Sequence, residues 1–230
     1  MIEFAPLDQM LQEYVEDGRV DYGRWQQDSA RLDRWLASVQ AVSLEKLDRE
    51  TAIALLLNLY NALVIQQVLQ KYPIDSIRPQ ILGVPNWISF LLFFKKRLFT
   101  LDGDALSLDG IEKGILRSRY DEPRIHFALV CASQGCPLLR AEAYWPDRLS
   151  SQLEEDAARF INNPDKVHYD AAGRTLYLSK IFKWYQRDFL TQADSIADYI
   201  QPYLKGTQLP ADIRFVYKPY SWQLNQRTSS

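Results

Sequence analysis

Two cysteines and two histidines in 230 residues leave little material for thiol or metal chemistry. The cysteines, Cys131 and Cys136, have no export signal ahead of them: Ile2-Glu3-Phe4-Ala5-Pro6 places an acid early and leads into no apolar run. A cytoplasmic protein with free thiols is therefore expected, not a structural disulfide framework. Neither sign of charge is in excess, with 27 Lys and Arg against 29 Asp and Glu. A net charge of -2 supplies no field for a phosphate backbone, so nucleic acid is not an expected partner. The richest apolar window, Trp87 to Phe94, stops at Lys95-Lys96-Arg97 and falls well short of the roughly 20 residues a membrane span needs. Membrane insertion is not expected there; a buried strand or lid is favoured over a surface that touches lipid. Glycine is scarce, at nine, and no phosphate-cradling glycine run, Gly-x-Ser-x-Gly elbow or His-Glu-x-x-His stretch occurs, which removes nucleotide and serine-hydrolase readings. His126, Cys131 and Cys136 lack the paired spacing of a zinc site, so neither metal nor cofactor is expected.

What is present is the balance of a folded protein, 47% hydrophobic and 24% charged. One domain spanning 1–230 is expected, helix-rich α/β (α+β) with a small sheet and hairpins. Apolar steps of three and four residues from Pro6 to Val39 predict two helices around Asp17-Gly18-Arg19. After Asp48-Arg49-Glu50, the stripe from Ile53 to Val68 predicts a long helix. Ile81 to Phe99, with Gly83 and Pro85 inside, reads as a loop, followed by a hairpin turning at Asp102-Gly103. Ser107 is placed to cap a short helix carrying Leu108, Ile111, Ile115 and Leu116. Ile125 to Ala132 is a candidate buried strand, and Pro137 suits the first position of a helical turn. Leu149 to Ile161 predicts another helix, and Val167 to Tyr169 with Thr175 to Leu178 a hairpin. Further segments at Ile181 to Phe189, Ile196 to Leu204 and Ile213 to Tyr217 complete the chain.

The chemistry concentrates between His126 and Cys136. A cysteine nucleophile acts as its thiolate, which a basic imidazole or helix N-terminal amides stabilise. With a turn at Pro137, Cys136 would have both in reach, giving a thiol-protease-like site at a strand-to-helix turn. Glu112, on a helix face that ought to be buried, is the candidate for orienting the imidazole. Arg117, Arg119 or Arg124 would satisfy it structurally instead. On a regular strand Cys131 would point away from His126, as a packing residue. His168 reads as part of a surface hairpin.

Seven segments, taken in order, resemble the family known as domain of unknown function 547: Gly18-Arg19-Val20-Asp21-Tyr22; Asn58-Leu59-Tyr60-Asn61-Ala62-Leu63; Leu106-Ser107-Leu108-Asp109-Gly110-Ile111-Glu112; Arg124 to Ser133; Gly135-Cys136-Pro137; Leu178 to Tyr185; and Tyr220-Ser221-Trp222-Gln223-Leu224-Asn225. The resemblance spans nearly the whole chain. It implies a mixed α/β domain with a Glu-His-Cys arrangement like a thiol hydrolase, at Glu112, His126 and Cys136, and a cleft for short peptides. Leu138 follows Pro137 where the family often has a second proline. Asn58 and Asn61 look like the family's paired asparagines, either pinning the loop that carries His126 and Cys136 or donating to substrate.

The expected function is a cysteine hydrolase or transferase, peptidase- or transglutaminase-like, acting on a peptide or small amide-like ligand. Cys136 attacks, His126 moves the proton, Glu112 orients His126, and amides from Ser133 to Pro137 hold the oxyanion. Asn58, Asn61, Ser133, Gln134 and Trp184 are the expected substrate-binding residues. The rival reading is a peptide-binding or scaffold domain with the same cleft and no catalysis. A third joins Cys131 to Cys136 as a redox pair, against which their expected divergence stands. Composition leaves the oligomeric state open.

Overall fold

The helix Arg49–Leu69 begins where the Asp48 carboxylate accepts from the Thr51 amide at 2.8 Å. The computed structural model describes residues 2–81 and 84–227; Gly83, expected within a loop, lies outside them. Almost every side chain of this helix from Ala52 to Leu69 is buried, so it is a central pillar, apolar on all sides. By length and composition it is apolar enough to cross a membrane, but its faces are taken up by the protein itself. Ala5–Tyr14, Tyr22–Gln26 and Ser29–Val39 surround it. Between the first two stands a hairpin of Val15–Glu16 and Arg19–Val20, with Asp17 and Gly18 at positive φ. Three helices thus replace the two expected before Gln40, because the Asp21 carboxylate caps a new helix by accepting from the Arg24 amide.

A second apolar cluster lies around Phe127, Phe160, Phe182 and Phe189. Its walls are the helix Leu149–Ile161, the short helices Lys180–Trp184, Gln186–Phe189 and Ile196–Ile200, and a three-stranded sheet. The expected hairpin Val167–Asp170 and Thr175–Leu178 pairs antiparallel, Val167 opposite Leu178. Arg214–Tyr217 adds a parallel strand to its edge, Thr175 opposite Arg214. The whole is a helix-rich α+β fold, with helices around a central pillar and small sheets at the margins.

Three local expectations give way. Ile125 to Ala132 is not a strand: Pro123–Phe127 winds as a 3-10 helix and irregular chain follows. Asn61 supplies the reason, since its amide donates to the Ala128 carbonyl and its oxygen accepts from the Val130 amide, both at 3.0 Å. A side chain of the pillar thereby satisfies the backbone groups that a neighbouring strand would otherwise pair. Nor does a helix start at Pro137. The Gln134 and Gly135 amides donate to the carbonyls of Gln223 and Ser221, and Asn225 donates to the Ala132 carbonyl, so a C-terminal strap holds this turn. The window Trp87–Lys95 is a helix, with the Asn86 side chain accepting from the Ser89 amide at its start. It is apolar nearly all round and therefore shows no helical period in the sequence.

Candidate functional site

Phe127 belongs to the second cluster and Ile125 to the first, which leaves His126 at the seam between them. A cavity of about 550 Å³ opens there, and Glu112, His126, Cys131 and Cys136 all line it. Its remaining wall is aromatic, with Tyr60, Tyr185, Tyr220, Trp184 and Trp222 among the contributors.

His126 is fully buried and tightly held. Its Nε2 lies 2.7 Å from Asp188 Oδ2, and Arg117 reaches the same carboxylate with Nε at 2.5 Å and Nη2 at 2.9 Å. The Tyr185 ring stacks on the imidazole at 3.7 Å between centroids. Burial lowers the His126 pKa from its usual value, and the Asp188 bond and the nearby Glu112 charge only partly offset this. Burial also acts on Asp188, raising its pKa, but the bonds from His126 and Arg117 outweigh that and hold the carboxyl well below the usual range. With Nε2 committed to Asp188, Nδ1 is the ring nitrogen left for any other partner.

Glu112 is placed by a π-helical segment, Gly110–Leu116, which Ser107 opens by accepting from the Gly110 amide at 3.0 Å. Such segments recur at functional positions because they push one residue out of helical register. Glu112 is 5% exposed, and its Oε1 is buried without a hydrogen-bond partner among the described residues. It does not orient His126 through a hydrogen bond; Asp188 does that. Burial, followed by the Glu112 charge, pushes the Tyr185 hydroxyl pKa up.

Cys131 and Cys136 are joined as a disulfide, with Cα atoms 6.3 Å apart, so neither thiol is free as expected. The supposed divergence fails because there is no strand: Ala132 takes φ of 59° and reverses the chain between the two sulfurs. Cys136 is also not at a helix start. Its Sγ is surrounded instead by the Cys131 amide, which donates at 3.0 Å, the Tyr220 hydroxyl at 3.1 Å and the Ser133 hydroxyl, which donates at 3.5 Å. Gly135 lets Tyr220 come this close, since a Cβ there would lie 2.7 Å from the ring.

The other expected positions divide. Asn58 brackets Tyr144, accepting from its amide at 2.9 Å and donating to its carbonyl at 2.8 Å. With Asn61 it is a backbone clamp, and neither lines the cavity. Ser133 sits inside against both sulfurs and Tyr220. Gln134 lies behind the turn, on a separate cavity of about 310 Å³ shared with Lys166; there burial lowers the Lys166 pKa to about 8 and Nζ donates to the Gln134 carbonyl at 2.6 Å. Trp184 stands half exposed on the rim of the main cavity. The Gln134, Gly135 and Cys136 amides are spent on backbone carbonyls, which leaves the Cys131 amide and the side chains of Ser133 and Tyr220 near the sulfur. His168 is on an exposed hairpin, as expected.

Asp188 and Tyr220 were missing from the expected site. Nothing around Gln186-Arg187-Asp188-Phe189 marks Asp188, whereas the terminal segment carrying Tyr220 already stood out as part of the resemblance.

Fold and site together define a helix-rich α+β protein in which a cysteine pair and a tethered imidazole share an aromatic cavity. Residues 44–161, about half of the chain, match the family described as "Protein of unknown function, DUF547", and the chain belongs to it. The matched span takes in Asn58, Asn61, Glu112, His126 and both cysteines; it ends before Asp188 and Tyr220, so it is narrower than the resemblance implied. Comparisons with curated proteins and with solved structures find no match.

Proposed function

We propose that the chain is a cysteine-dependent hydrolase or transferase acting on a peptide or amide-like substrate, stored with its nucleophile oxidised. The observation that supports this is the cavity itself: of the two histidines in the chain, the one fixed by a carboxylate lines the same open cavity as Cys136. Reduction by a dithiol would give two thiols and leave the reductant as its disulfide. The donors around Cys136 Sγ favour its thiolate. Cys136 then attacks the substrate carbonyl, and the His126 ring, held through Nε2 by Asp188, carries the proton to the leaving amine. Glu112 stabilises the imidazolium across the cavity without touching it. The Ser133 and Tyr220 hydroxyls serve the oxyanion.

The disulfide also favours a second reading, dithiol–disulfide exchange, in which Cys136 is the stabilised leaving thiolate. One variant separates the two. Cys131→Ser frees Cys136, so the hydrolase reading expects iodoacetamide to label it without added reductant, with hydrolysis of model amide substrates that is lost in His126→Ala. Exchange needs both sulfurs and is abolished by Cys131→Ser. If Cys136 in this variant alkylates slowly and His126→Ala leaves that rate unchanged, the hydrolase proposal fails.

A further inference from the structure

The helix Trp87–Lys95 turns most of its apolar surface outward. Ile88 is 73% exposed, Leu92 56%, Trp87 55% and Leu91 48%, and at spacings of one, three and four residues they share one face. Phe93 is buried and Phe90 packs edge-on against Trp222 at 4.8 Å, so the opposite face anchors the helix to the protein. Exposed clusters of this kind mark interaction surfaces. Along the chain around this helix the charge has one sign, while Asp109 and Glu112 lie across the cavity that Trp87, Leu91 and Lys95 also line. From Ser76 to Leu101 the sequence holds no Asp or Glu, but does hold Arg78, Lys95, Lys96 and Arg97, although the chain as a whole is slightly acidic. Lys95, Lys96 and Arg97 are exposed immediately after the apolar face, and Arg78 lies 5.4 Å from the Trp87 ring.

We propose that this helix docks the protein on an anionic membrane surface. An apolar ridge edged by cations and a tryptophan fits the boundary between acyl chains and acidic headgroups, where apolar burial and basic side chains both contribute to binding. A protein partner fits less well: nine residues of helix give a ridge about 14 Å long and about 10 Å wide, on the order of 140 Å² against the roughly 800 Å² that each side of a standard protein interface supplies. Trp87, Leu91 and Lys95 also line the mouth of the cavity that holds His126 and the disulfide. The docked face therefore opens the cavity toward the lipid, whichever chemistry takes place inside. The interaction is peripheral and calls for no spanning segment.

The full chain is sedimented with vesicles of phosphatidylcholine alone and of phosphatidylcholine with phosphatidylglycerol. It should partition onto the anionic vesicles, release as salt rises, and lose about tenfold in partition in Ile88→Ser/Leu92→Ser and again in Lys96→Glu/Arg97→Glu. All four side chains are exposed, so thermal melting of the variants should match that of the parent. Brominated acyl chains should quench Trp87 fluorescence, read as the signal that Trp87→Phe removes; this reports on docking without relying on the surface variants. The proposal is overturned if anionic vesicles fail to retain the chain, if retention survives Ile88→Ser/Leu92→Ser, or if the chain is a dimer in solution that the same substitutions dissociate.

Discussion

His126 is subject to two opposing effects, burial that favours the neutral ring and a carboxylate that favours the charged one, and burial is the larger. A histidine whose folded pKa lies below its unfolded value makes stability rise with pH across the gap, since the unfolded chain binds the extra proton. Stability linked to His126 is therefore complete above about pH 6.5 and declines as pH falls through that value toward the folded pKa. Asp188 acts in the same direction at more acidic pH: its depressed pKa contributes stability above the unfolded carboxylate value that is lost on acidification. Proton NMR of the His126 ring should give a pKa below about 6.5, and Asp188→Asn should lower it further. A pKa above the usual value would mean that the carboxylate outweighs burial. At this scale Cys136 and His126 were legible as lining one cavity because cysteine and histidine are rare in this sequence, and Glu112 because its helix face was expected to be buried, although it does not hold the imidazole. Asp188 was not legible: it is one of many acids, and only folding brings it the 62 positions back to His126.

Elements with local signals were read well. Asp48 and Ser107 mark the starts of their helices, Asp102-Gly103 turns its hairpin, and Leu149–Ile161 follows its amphipathic period. The segment from Pro123 to Cys136 was misread because its backbone partners come from elsewhere, from Asn61 on the pillar and from the C-terminal strap. An apolar β-branched run looks like a strand whatever satisfies its amides. Asn61→Ala leaves a buried amide and a buried carbonyl without partners, which should cost about 2 to 3 kcal/mol in denaturant unfolding. It should also loosen the Cys131–Cys136 turn, seen as faster disulfide reduction by dithiothreitol. A loss below about 0.5 kcal/mol, the range of ordinary surface substitutions, would show that Asn61 is not the clamp assigned to it.

Across the whole molecule, the family and the helix-rich α+β class were legible from order and periodicity, whereas the seam between two apolar clusters, where the site lies, depends on long-range packing that no local pattern reports. The disulfide closes a short loop on the first cluster's side of that seam. By loop-closure entropy it contributes about 2 kcal/mol, so reduction should lower Tm by about 4 to 8 °C in a chain of this length; a scanning calorimeter with and without dithiothreitol checks this, and an unchanged Tm would mean that the pair does not stabilise the fold. The strap from Tyr220 to Asn225 has a consequence in time. It lines the sulfur with Tyr220 and fixes the turn through Ser221, Gln223 and Asn225. During synthesis Glu112, His126 and both cysteines leave the ribosome long before it does. The order of synthesis thus puts Glu112, His126 and both cysteines ahead of the strap, and the surroundings of Cys136 are complete only once Tyr220 to Asn225 have been added.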